Sequence, residues 1–127
     1  MVIDTVADIL ARIQNGIIAQ KEEITSPVTK LSGEILRVLR QEKMISDFSE
    51  VDGNYVIVLK YREGDEPEIQ NLTKISKPGQ RMYVTAKEIK PVMNGRGISI
   101  ISTSSGIMSG AQAKARGLGG ELICEVW

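Results

Sequence analysis

Between Ser102 and Glu121 the chain gathers groups suited to gripping a polar, flexible ligand. Ser102-Thr103-Ser104-Ser105 sets four hydroxyls in a row at the end of an apolar run. Gly106 follows, where a residue without Cβ lets the backbone turn sharply and lie close to a partner. Each hydroxyl both donates and accepts hydrogen bonds, so the cluster suits base edges, ribose 2′-OH groups and phosphates. Ser109 and Gln112 then fit a capping box for a short helix in which Ala111, Ala113 and Ala115 leave little side-chain bulk. A helix start flanked by small residues can approach phosphate. A plain hydroxyl-rich turn with a filler helix behind it explains the same residues, and Ser-rich turns are common.

Arg81 to Thr85 alternates in character. On a strand, Arg81, Tyr83 and Thr85 would share one face and leave Met82 and Val84 for the core. A Tyr beside an Arg on an open face is a platform for stacking an unpaired base. The competing reading makes Tyr83 a cap on the edge of the core, its hydroxyl at the surface. Lys74, Lys77, Arg81, Lys87 and Lys90 crowd this segment, and any of them meeting phosphate would make binding fall with salt. Glu121, after Gly119 and Gly120, can accept from a base amino group or a ribose hydroxyl; a surface Glu opening a strand is the plainer account.

Other chemistries fail on composition or spacing. The 127 residues include no His, which excludes Ser-His-Asp and Cys-His nucleophile systems and most transition-metal sites. Gly95-Arg96-Gly97 has Ile100 where a dinucleotide fingerprint needs Gly, and no Gly-Lys pair forms a P-loop. Glu121 and Glu125 are expected on one side of a strand, which does not oppose them across a cleft as paired catalytic carboxylates require. Cys124 stands alone, so no internal disulfide can form and a cytoplasmic setting fits. It falls in the alternation Leu122, Cys124, Val126 and reads as a small core residue. No apolar run approaches the roughly 20 residues that cross a bilayer, and the first residues lack the basic start of a signal peptide. No cofactor, metal or membrane partner is expected.

The elements that must position these groups fall into two halves. Sixteen basic and sixteen acidic side chains cancel overall, but residues 1–71 carry eight against thirteen and residues 72–127 eight against three, a net of −5 and +5. In the front half Val6, Ile9, Leu10, Ile13 and Ile17 recur at helical spacing after Asp4-Thr5, with an end near Asn15-Gly16 or a turn later. A strand at 23–26 precedes Pro27. Thr29 caps a second helix carrying Leu31, Ile35, Val38 and Leu39 to about Glu42. Residues 45–51 and 55–61 form a hairpin about Asp52-Gly53-Asn54. Residues 62–67, polar with Gly and Pro, read as the connector.

The back half reads as mainly β, with strands at 69–75, 81–85, 97–103, 107–108 and 121–127 and short helices near 87–93 and 110–116. The fold class is therefore α+β in two small domains, 1–66 with two helices and three strands, and 67–127 mainly β.

Whole-chain agreement then points to a family. The stretch Asp4 to Asn15, the run Pro27-Val28-Thr29-Lys30-Leu31, the block Lys74-Ile75-Ser76-Lys77-Pro78-Gly79-Gln80-Arg81-Met82-Tyr83-Val84, the segment Gly97 to Met108, Gly117-Leu118-Gly119-Gly120-Glu121 and the closing Val126-Trp127 resemble, in order, the bacterial ribosomal protein S8 family. The resemblance implies a non-enzymatic, two-domain α+β protein of the small ribosomal subunit that binds the central domain of 16S ribosomal RNA directly, early in assembly. It also implies neighbouring ribosomal proteins as partners and a monomer outside the ribosome. By motif match, Thr103, Ser104 and Ser105 fall at the base-contacting loop, Gly106 at its turn and Tyr83 beside it. Glu121, behind Gly119 and Gly120, closes the pocket, and Lys30 reaches phosphate from the front domain; Arg81 and Lys77, from the basic segment read above, add charge beside it.

Members commonly carry Lys where Ser105 and Ala115 stand, an acidic-basic pair at Gly110-Ala111 and Arg at Gln14, so this chain has fewer cations for phosphate. The rival from another class is a protein-interaction module whose acidic front domain docks a basic partner.

Overall fold

A computed structural model describes residues 4–127, which divide into two units, one running to Asn71 and one from Leu72 to Trp127. The architecture is α+β.

In the first unit α1 (Thr5–Ile18) opens where the Asp4 side chain accepts the Ala7 N–H at 3.1 Å. Gly16 does not stop the helix. A Cβ there would stand 2.6 Å from Ile24 Cγ2, so the missing side chain lets α1 press against the neighbouring strand β1 (Glu23–Pro27). Thr29 and Ser32 cap α2 (Lys30–Gln41) reciprocally, Thr29 Oγ1 accepting the Ser32 N–H at 3.0 Å and Ser32 Oγ the Thr29 N–H at 3.3 Å.

Next come β2 (Asp47–Val51) and β3 (Asn54–Val58), joined through Asp52 (φ 51°) and Gly53 (φ 81°). Positive φ at both positions gives the turn whose twist suits a hairpin. The sheet order is β1-β3-β2, all antiparallel. Ile9 and Ile13 of α1, Ile35, Leu36 and Leu39 of α2, and Ile57 of β3 are almost wholly removed from water.

Residues 62–67 are not a bare connector. Tyr61–Arg62 (β4) pairs with Glu66–Pro67 (β5) about Asp65 and Gly64, both at positive φ. Arg62 Nε donates to Glu68 Oε2 at 2.7 Å, so the polar residues serve a small hairpin of their own.

The second unit is one antiparallel sheet. Its central strand β10 (Gly120–Val126) pairs along one edge with β6 (Leu72–Lys74) and β7 (Tyr83–Val84), and along the other with β8 (Ile98–Thr103), which pairs with β9 (Gly106–Ser109). The helix α3 (Gly110–Ala115) starts at Ser109, whose Oγ accepts the Gln112 N–H at 3.2 Å. Ile89, Ile101, Met108 and Ala113 form a buried cluster joined by Val84, Leu118 and Leu122. The helix expected over 87–93 is absent, because Pro91 lacks an N–H and disfavours helix before it; only single 3₁₀ turns occur, at Ala86–Glu88 and Met93–Gly95.

The strand β10 carries an irregularity that local alternation does not foretell. Leu122 pairs with Ile101 and Cys124 with Ile100, so Ile123 is an extra residue bulged out of the ladder. The bulge reverses which side chains share a face. Glu121, opposite Ser102, and Glu125, opposite Ser99, stand on opposite faces rather than together, and Leu122 parts from Cys124 and Val126. Cys124 is fully buried, and burial foremost, with the Glu125 charge second, pushes its thiol up to about 12.

The folded chain thus keeps a proton that the unfolded chain releases near pH 9. This thiol leaves stability unchanged below that pH and lowers it between pH 9 and about 12, by at most about 1.4 kcal/mol per unit. Denaturant unfolding at pH 8 and pH 10.5 should show that loss in the parent and a smaller one in Cys124→Ala; equal losses would exclude Cys124 as its source.

Candidate nucleic-acid interface

The hydroxyl cluster forms the tip of the β8–β9 hairpin. Thr103 pairs with Gly106 across the turn, and Ser104 and Ser105 make its exposed end. Thr103 staples this turn from within, its Oγ1 donating to the Gly106 carbonyl at 2.7 Å and accepting the Ser105 N–H at 3.1 Å. Gly106 takes φ +111°, a conformation L side chains rarely adopt, so both serines can keep ordinary backbone angles. Thr103 and Gly106 therefore shape the loop. Ser104 and Ser105 present hydroxyls with no hydrogen-bond partner among the described residues.

Two further elements meet this hairpin through β10. Tyr83 pairs with Glu121, and Glu121 with Ser102, so the three residues lie abreast on one face across β7, β10 and β8. Tyr83 is 69% exposed and does not cap a core edge. Met82, expected inside, is 39% exposed, because strand pairing is confined to Tyr83–Val84 and the chain before it loops away from the sheet. Val84 does pack inward.

Gly119 and Gly120 allow the close approach of three backbone segments. A Cβ on Gly119 would stand 2.5 Å from the Val84 carbonyl oxygen, and one on Gly120 would run into the Ser102 carbonyl.

Glu121 is not a free acceptor. Its Oε2 takes the Ser76 hydroxyl at 2.5 Å and Arg81 Nη1 at 3.2 Å, and the side chain is 23% exposed. Arg81, half exposed, is thus partly neutralised within the protein. Lys77 is exposed in the Lys77-Pro78-Gly79-Gln80 turn. The Lys74 amine is lowered by partial burial and then by repulsion from Arg81 and Lys77, which puts the three cations in one electrostatic neighbourhood. Lys90 lies elsewhere, lining a cavity with Ser99, Ile101 and Glu125 on the opposite face. Lys30 is exposed in the first turn of α2, in the other unit.

Ser76 is the residue the sequence reading missed. It is 2% exposed. Its only local signal is a small polar residue between apolar Ile75 and a Lys-Pro-Gly turn, and its partner Glu121 is 45 positions away. Among the described residues no three of His, Cys, Asp and Glu group to hold a metal ion, and no helix is long and apolar enough to cross a membrane.

The chain is thus an α+β protein of two small units, the second of which carries exposed hydroxyls, an exposed ring and cations at one end of its sheet. The family model described as ribosomal protein S8 matches residues 4–127. Similar proteins named small ribosomal subunit protein uS8 include one from Nitratidesulfovibrio vulgaris (strain Miyazaki F), 44% identical over the whole of both chains. Another, from Acidobacterium capsulatum, is 43% identical over 98% of this chain and 97% of its own. A third, from Dehalococcoides mccartyi, is 41% identical over the whole of both. The chain belongs to the ribosomal protein S8 family. It is a structural component of the small ribosomal subunit and not an enzyme.

Proposed function

We propose that the chain binds the central domain of 16S ribosomal RNA directly and supports assembly of the small subunit, with the Thr103–Gly106 turn as the reading element. The observation that carries this is the pair of exposed Ser104 and Ser105 hydroxyls, free of intramolecular partners among the described residues, on a turn stiffened by Thr103 and Gly106. Small hydroxyl side chains on a rigid tip lose little entropy on binding and can enter an RNA minor groove, where 2′-OH groups and base edges are displayed. Tyr83, open on the neighbouring strand, offers a stacking surface for a base turned out of the helix. Gly119 and Gly120 keep the final strand close to the turn, while Lys77 and Lys30 supply charge for phosphate and Arg81 is held by Glu121.

Because Arg81 is already paired with Glu121, hydrogen bonds to bases and 2′-OH groups carry more of the affinity than phosphate contacts do. Filter binding tests this. A central-domain fragment of 16S RNA should bind far more tightly than a generic duplex, with a shallow dependence on salt. Ser104→Ala should weaken the fragment by about 1 to 3 kcal/mol. Unchanged affinity in Ser104→Ala removes the reading role of that hydroxyl, and a slope showing many released counterions contradicts the balance of contacts.

A further inference from the structure

The strands β6 and β7 lie end to end along one edge of β10, and the chain between them leaves the sheet at Ser76 and rejoins it at Met82. At the exit, the Ile75 and Ser76 N–H groups donate to the Ile123 carbonyl at 3.0 and 3.3 Å; at the return, the Leu122 N–H donates to the Met82 carbonyl at 2.9 Å. Lys77 and Gln80 close the turn between by exchanging backbone hydrogen bonds at 3.1 and 2.9 Å. One side chain ties the two ends together. Ser76 Oγ accepts the Met82 N–H at 3.2 Å and gives its own proton to Glu121 Oε2, which also receives Arg81. Tyr83 emerges immediately after this knot.

An excursion with an exposed Pro-Gly turn has few contacts of its own to fix its bearing. A buried hydroxyl that donates to a carboxylate and accepts a backbone N–H supplies them at both ends, and removing it leaves both partners short. We infer that Ser76 and Glu121 are positioning residues for RNA recognition: the Ser76–Glu121 hydrogen bond holds the Lys77–Met82 excursion, and with it the bearing of Lys77 and Tyr83. Glu121 acts on the RNA through this loop rather than by touching it. The inference rests on the RNA-binding reading above.

The test uses the full chain, with amide exchange at Met82 followed by NMR and filter binding of the central-domain fragment and a generic RNA duplex over a range of salt. The wild-type chain examines the underlying reading alone: equal binding of both RNAs would overturn that reading and this inference with it. With discrimination present, Ser76→Ala should speed exchange at Met82 and weaken the fragment about tenfold or more, leaving the generic duplex unchanged. Glu121→Gln keeps an acceptor for Ser76 but drops the charge that holds Arg81. It should keep Met82 protected and weaken the fragment less than Ser76→Ala does, with a salt slope steeper by about one counterion as Arg81 turns to phosphate. Wild-type fragment affinity in Ser76→Ala overturns the inference. So does a Glu121→Gln chain that loses the fragment while Met82 stays protected, since the carboxylate would then be touching RNA itself.

Discussion

Gly120→Ala is expected to destabilise the second unit by about 3 kcal/mol or more, lowering its thermal midpoint by roughly 10 °C or more. The added methyl would collide with the Ser102 carbonyl oxygen, 2.9 Å from the carbonyl carbon and 3.2 Å from Thr103 Cα. These are backbone atoms of the adjoining strand, so no rotamer change relieves the contact and β10 must part from β8. Glu121 follows directly in the chain, which means the same displacement would pull its carboxylate from Ser76 and Arg81. A thermal melt of the full chain decides the matter. A wild-type midpoint accompanied by weak RNA binding would show that the glycine serves the ligand rather than the sheet.

Ile101→Ala ranks next. Ile101 has no exposed surface and packs with Ile89, Met108 and Ala113, and with the partly buried Val84, Leu118 and Leu122. Deleting its outer atoms leaves a cavity that the surrounding strands and α3 close only partly, at a cost of about 2 to 5 kcal/mol, against about 0.5 to 1.5 for Ile101→Val. Both sides of the candidate interface depend on this cluster: β8 carries the serine turn and Val84 adjoins Tyr83. Denaturant unfolding of the two variants should reproduce that ratio, and a cost for Ile101→Ala no greater than for Ile101→Val would mean the site refills without strain.

The candidate site was legible in the sequence as residue types, and less so as contacts. Four successive hydroxyls before Gly106 announced an exposed turn, and Ser104 and Ser105 stand exposed at its end. Thr103 looked equivalent to its neighbours, yet its hydroxyl is spent inside the turn on Gly106 and Ser105. Glu121 looked available, and is held by two residues from a loop some forty positions earlier. Gly119 and Gly120 stood out as the residues before Glu121, and their value is the bulk they lack where strands converge.

What the sequence determined by itself was mostly short-ranged: a cap at Asp4-Thr5 and another at Thr29, the apolar faces of α1 and α2, the Asp52-Gly53 turn, the basic back half and the hydroxyl cluster. Those features follow from the 3.6- and 2-residue periods and from local turn chemistry. Tertiary structure alone decided the bulge at Ile123, the separation of Glu121 from Glu125, the exposure of Met82 and the Ser76–Glu121 bond. Each depends on which strands pair and in what register, and one extra residue in a ladder changes the face of every side chain beyond it.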